Sequence, residues 1–122
     1  MLNAIFIQGR LVKDVEVKQT QNGKSIAIFC IACQRNYKNS NGDYDTDFVD
    51  CTAYGTTCDF VSKYFHKGDM ILASGELNLR LYEDKNGTKH KVSVVNVSKV
   101  HFTGEKRSSG SDEIYEVGDT PF

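Results

Sequence analysis

The sequence predicts an all-β protein: a small five-stranded barrel with one short helix, followed by a disordered acidic C-terminal tail. Three observations carry this expectation. Runs of alternating apolar and polar residues are separated by Asn-Gly pairs at 22–23, 41–42 and 86–87, the dipeptide suited to tight hairpin turns. Only one segment spaces its apolar residues as a helix does. Beyond residue 103 the chain turns small, polar and acidic, with too little apolar content to offset the entropy of ordering. A chain of 122 residues supports one domain with an appendage. The expected division is a barrel over 1–103 and a tail over 104–122.

The elements follow in order. "NAIFIQGRLV" reads as the first strand, and "DVEVKQT" continues it past a bend. "QNGK" turns the chain into the second strand, "SIAIFCIAC". Residues 36–46, "NYKNSNGDYDT", read as a polar loop, and "DFVDCTAYG" as the third strand. "TTCDFVSKYFHKG" is the helix, with Thr56 or Thr57 as its expected N-cap. Phe60, Val61, Tyr64 and Phe65 stand at helical spacing, and Gly68 supplies the stop. "DMILASGELNLRLYED" is the fourth strand, "KNGT" a turn, and "KHKVSVVNVSKVHF" the fifth strand. One short helix between strands three and four of a five-stranded set is the order of an OB-fold barrel.

Strand parity divides the residues between two faces. Val49, Cys51 and Ala53 form a core set; Phe48, Asp50, Thr52 and Tyr54 form an outer one. In the fourth strand Ile71, Ala73, Leu77, Leu79 and Leu81 are expected in the core. Ser74, Glu76, Asn78, Arg80 and Tyr82 are expected outside. Tyr37 stands at the end of the second strand between Arg35 and Lys38. Outward aromatics interleaved with cations make a stacking platform for unpaired bases, worth about 1–3 kcal/mol per base, while Lys and Arg track phosphate. The cations of this set are Arg35, Lys38, Arg80, Lys89 and Lys91. Two strands are apolar on both faces: Ala4 and Phe6 against Ile5 and Ile7, and Ile26, Ile28 and Cys30 against Ala27, Phe29 and Ile31. A lone small barrel needs one apolar face per strand, so the doubled pattern predicts self-association.

Other chemistries find less support. Cys30 and Cys33 mimic a C-x-x-C motif, but three-residue spacing on a strand puts the sulfurs on opposite faces. All four cysteines are expected to be reduced thiols. Asp43, Asp45, Asp47 and Asp50 alternate in and after one loop instead of converging from different strands, as a metal-dependent nuclease would need. His66, His90 and His101 have no partner at ligand or triad spacing. Neither a catalytic site, nor a metal, nor a cofactor is expected. The chain contains no stretch of the ~18 apolar residues a membrane span needs, nor an opening signal-peptide pattern, so a cytoplasmic protein is expected. The net charge of −1 hides an asymmetry. Residues 1–102 hold 13 basic and 11 acidic residues; residues 103–122 hold 2 basic and 5 acidic. A mildly basic body suits an anionic ligand, and an acidic tail a different partner.

The chain resembles the bacterial and bacteriophage single-stranded DNA-binding protein family. The resemblance lies in "NAIFIQGRLVKDVEV", "TDFVDCTAYG", the helix ending "YFHKGD", the hairpin "SGELNLRLYEDKNG" and the terminal "DTPF", in family order. It implies OB-fold subunits assembled as a homotetramer (a dimer being the alternative) with single-stranded DNA wrapped over them. It carries base stacking onto Tyr37, Phe48, Tyr54 and Tyr82. Tryptophan, common at several of these places in the family, is absent. It also implies that the tail tip, Asp119, Thr120, Pro121 and Phe122, recruits replication, recombination and repair proteins. The rival readings are an OB-fold module for structured RNA or protein, and an OB-type nuclease.

Overall fold

The structure is a computed structural model that describes residues 1–104. The expected disordered tail from residue 105 onward, with its tip Asp119, Thr120, Pro121 and Phe122, lies outside the described residues.

Six strands and one helix follow the expected order: β1 Ile5–Leu11, β2 Glu16–Gln19, β3 Ser25–Lys38, β4 Tyr44–Tyr54, α1 Gly55–Tyr64, β5 Met70–Glu83 and β6 Lys89–His101. The bend expected in the first strand divides it into β1 and β2. β1 pairs antiparallel with β5 along its length and with β3 at Arg10 and Leu11, while β2 pairs only with β3. The sheet runs β1-β5-β6-β4-β3, and the β1–β3 pairing closes it into a five-stranded barrel. β4 and β6 meet in parallel at Cys51–Val95 to Ala53–Val97. α1 lies between them in sequence, a connection that antiparallel neighbours would not require.

Inward residues of every barrel strand and one face of α1 make the core: Leu11, Ala27, Phe29, Ile31, Cys51, Ala53, Cys58, Val61, Phe65, Ile71, Ala73, Val95 and Val97. Burial of Phe29, Phe65, Ile31 and Ile71 stabilises by about 1.5–3 kcal/mol each. Two glycines permit the strands to approach. A Cβ on Gly9 would strike the carbonyl oxygen of Ala32 where β1 meets β3, and one on Gly75 would strike that of Asn96. Gly75 lies at a register shift in the β5–β6 ladder, where a bulge draws the backbones together.

Three local expectations are corrected. Residues 36–46 are not a loop: β3 continues to Lys38 and β4 begins at Tyr44, leaving a five-residue turn. Asn39 holds that turn, its Oδ1 accepting the backbone N–H groups of Asn41 and Asp43. Neither Thr56 nor Thr57 caps α1. The N-cap is Tyr54, with no side-chain cap, and the Thr57 hydroxyl donates to the Ser98 carbonyl at 2.9 Å. Leu77, Leu79 and Leu81 are not core residues but are 40%, 57% and 71% exposed. Their parity continues that of Ile71 and Ala73, but β1 pairs with β5 only as far as Gly75. Past Leu77, opposite Val95 where the β4–β6 pairing ends, β5 and β6 leave the barrel as a two-stranded arm, and among the described residues no further strand pairs with it. β3 and β4 likewise extend past Ala32 as a second arm, where β3 has no partner except β4.

Candidate nucleic-acid interface

The outer face of β3 and β4 is half apolar. Register sets Phe48 opposite Ala32, Asp50 opposite Cys30, Thr52 opposite Ile28 and Tyr54 opposite Ile26. On the other side of β3, Lys18 and Glu16 stand opposite Ile26 and Ile28. Phe48 and Tyr54 are six residues apart on one strand face, roughly 20 Å at strand rise. Phe48 projects beside a small alanine, which leaves its ring clear. Of the doubly apolar strands, β3 keeps Ile26, Ile28 and Cys30 half-buried. β1 turns Ile5 and Ile7 against the core and leaves Phe6 74% exposed. The four cysteines are free. Burial first, and the Asp50 carboxylate second, push the Cys30 thiol up from its ordinary value.

The β3–β4 arm carries Tyr37. Arg35 donates two parallel hydrogen bonds to Asp47, Nε to Oδ2 and Nη2 to Oδ1, both at 3.0 Å. Its Nη1 donates to the Tyr37 hydroxyl at 3.3 Å. The hydrogen bond from Arg35 holds the Asp47 carboxyl below the usual carboxylate range. Arg35 is therefore already engaged, and its geometry orients Tyr37. Lys38 lies over the Tyr44 ring, 5.8 Å from the centroid. Sequence reasoning missed Tyr44 because it took the segment for loop. The signal was the alternation running up to Asn41-Gly42 from both sides.

The β5–β6 arm carries Tyr82, directly opposite His90. The two rings stack with centroids 5.0 Å apart and planes at 23°. His90 Nε2 lies 2.8 Å from Asp84 Oδ2, and the other oxygen of Asp84 accepts the backbone N–H groups of Asn86 and Thr88, both at 2.9 Å. The hydrogen bond from His90, followed by that from Thr88, holds the Asp84 carboxyl below its ordinary value. His90 thus has the partner that linear spacing concealed: a six-residue separation across a tight turn brings both side chains to one face. By parity Arg80 shares the Tyr82 face, while Lys89 and Lys91 fall on the other with Leu81 and Glu83. Among the described residues Arg80, Lys89 and Lys91 form no salt bridge.

The structure therefore leaves Tyr37, Phe48, Tyr54 and Tyr82 between 41% and 65% exposed, two on the barrel wall and one on each arm. Two of the aspartates at the start of β4 have partners: Asp47 is paired with Arg35, and Asp45 Oδ1 accepts from Asn39 at 3.0 Å. Among the described residues no group of three His, Cys, Asp or Glu gathers as metal ligands, and no helix is long and apolar enough to cross a membrane.

The profile of the single-strand binding protein family matches residues 2–103. A single-stranded DNA-binding protein of Staphylococcus epidermidis is 36% identical over 119 residues, 95% of this chain and 89% of the relative. One of Fusobacterium nucleatum is 37% identical over 119 residues, 96% of this chain and 77% of the relative. Single-stranded DNA-binding protein A of Bacillus subtilis is 33% identical over 111 residues, 91% of this chain but 64% of that longer protein.

Proposed function

We propose that this chain, which belongs to the single-strand binding protein family, binds single-stranded DNA without sequence preference. The observation that carries the reading is the set of outward rings at Tyr37, Phe48, Tyr54 and Tyr82. Every base offers a π face, so such a set holds unpaired bases of any sequence and finds no purchase on a stacked duplex. Arg80, Lys89 and Lys91 serve as phosphate contacts, joined by Lys38 beside Tyr44. Arg35, held by Asp47, positions Tyr37 while keeping part of its charge for the strand. The protein works by binding alone, in the cytoplasm, protecting exposed strands during replication, recombination and repair.

Assembly is part of the proposal. Phe6 is large, apolar and exposed in the single chain, and Ile26 and Ile28 on the outer face of β3 are only half-buried. Covering them by further copies supports a homotetramer, with a dimer as the alternative. The acidic segment 104–122 is proposed as a separate partner-binding unit beside the 1–103 barrel. Its tip, Asp119 to Phe122, recruits replication, recombination and repair proteins. A ring, a rigid proline and a nearby aspartate suit a basic pocket with an apolar floor.

The test is a gel-shift comparison of poly-dT, duplex DNA and structured RNA, with native mass measurement of the free and loaded protein. Tight binding to poly-dT with weak binding to the other two is expected. Equal affinity for duplex and single strand would overturn the reading, and preference for the RNA would favour a different OB-fold role. Shortened DNA after incubation with a divalent metal would overturn the claim that binding is the whole activity.

A further inference from the structure

We propose that His90 is a proton-dependent contact for the DNA backbone, which makes the β5–β6 arm the pH-responsive part of the interface. The inference rests on the binding reading above and adds to it a residue, an atom and a condition. His90 and Tyr82 stack as cross-strand partners, so the imidazole covers one face of the tyrosine ring and leaves the other for a base. Asp84 fixes the imidazole. One carboxylate oxygen is held by the backbone of the turn and the other lies 2.8 Å from His90 Nε2. A carboxylate only accepts, so Nε2 carries the hydrogen in both protonation states. Nδ1 is then the nitrogen that gains or loses a proton. It makes no hydrogen bond among the described residues, and the His90 side chain is 42% exposed.

Protonation changes two things beside the Tyr82 ring. It converts Nδ1 from an acceptor, which a phosphate oxygen cannot use, into a charged donor, which it can. It also neutralises the charge of Asp84, which otherwise repels the strand. The surrounding groups are few because the arm has no third strand over it. β5 supplies Arg80 and Tyr82 on the His90 face and Glu83 on the other, and Asp84 follows at the start of the turn. β6 supplies Lys89 and Lys91 on the other face, and the turn supplies Lys85. Arg80 is the fixed cation that would share a phosphate with His90.

The experiment uses the full chain and a labelled poly-dT oligonucleotide. Affinity and its salt dependence are measured at about pH 5.5 and about pH 8, either side of the range in which imidazole ordinarily titrates. Affinity should rise several-fold on acidification. The salt slope should steepen by about 0.7, the value for one more phosphate contact on a single strand. His90→Phe keeps a ring against Tyr82 but no proton, so most of the acid gain should vanish. His90→Gln should lose the gain in the same way. Calorimetry near neutral pH, in buffers of different ionisation enthalpy, should show proton uptake on binding by the parent and less by either variant. An acid gain and a proton uptake in His90→Phe equal to the parent's would overturn the inference, assigning the effect to His66 or His101. Absence of poly-dT binding at both pH values would instead overturn the binding reading itself.

Discussion

The two arms use one device with different chemistry. On the β3–β4 arm an acid–base pair, Asp47 and Arg35, orients Tyr37. On the β5–β6 arm an acid–base pair, Asp84 and His90, orients Tyr82. Arginine keeps its proton at any pH a protein survives; histidine does not. The first brace holds by hydroxyl contact and, among the described residues, leaves both faces of its ring without a stacked neighbour. The second holds by ring stacking and gives up one face. The arms also leave the barrel differently. The register shift of the β5–β6 pair lies at the root of its arm, between Ser74 and Gly75, whereas the irregularity of the β3–β4 arm lies within it, between Gln34 and Lys38. A ring on a two-stranded arm has no core to hold it, and these polar braces supply the order that burial supplies on the barrel wall.

The largest effect should come from the root of the β5–β6 arm. Gly75→Ala pushes a methyl into the Asn96 carbonyl, a backbone atom that cannot swing aside. A loss of roughly 2–3 kcal/mol is expected from such overpacking. That lowers the melting temperature by about 10 °C or more for a domain of this size. An unchanged melting temperature would mean that the bulge tolerates a side chain. Ring removal comes next. Tyr82→Ala and Phe48→Ala should each weaken poly-dT binding by about 1–3 kcal/mol in a titration at fixed salt, with melting little changed. If Phe48 matters and neither Tyr37 nor Tyr82 does, the arms are spectators and the barrel wall is the site.

A smaller effect separates the braces by pH. The folded-state pKa of Asp47 is depressed, so the Arg35–Asp47 contribution is fully present above the ordinary carboxylate range of about 4. It is lost as pH falls through the still lower folded value. The β3–β4 arm should therefore keep its order through the imidazole range. Carboxylate resonances followed by NMR should show Asp47 titrating low in the parent and near the ordinary value in Arg35→Ala. Asp84 should return upward in His90→Phe for the same reason, losing first the hydrogen bond that holds it down. The smallest effect is at Leu81. Leu81→Gln should change folding stability by less than about 0.5 kcal/mol, as exposed positions do. A loss of several kcal/mol in denaturant unfolding would restore Leu81 to a covered core or a tight subunit contact.

Much of the barrel was legible because its signals are local. Asn22-Gly23, Asn41-Gly42 and Asn86-Gly87 mark three turns, and each glycine has the positive φ such turns need. The alternation of Ala27, Phe29 and Ile31 and of Cys51 and Ala53 named the core face of two strands before any pairing was known. The outward rings at Phe48, Tyr54 and Tyr82 were legible by the same parity. The leucines of β5 were not, because parity says which side a residue takes and not whether that side is covered. Coverage depends on where β1 stops pairing, at Gly75, and nothing within "GELNLRLY" records that. Thr56 and Thr57 failed as caps because the chain enters α1 directly from β4, and the Thr57 hydroxyl finds the Ser98 carbonyl across the fold instead.

By itself the sequence determined the order of elements, the parity of each strand, and that Phe48, Tyr54 and Tyr82 face out, because turn dihedrals and side-chain alternation are set by neighbours a few residues apart. Tertiary structure alone decided which half of β5 lies over a core and which stands free. It also decided that Arg35 is committed to Asp47 and that His90 meets Tyr82 and Asp84. Those facts depend on strand register, which is settled by the simultaneous packing of all the strands in the closed barrel.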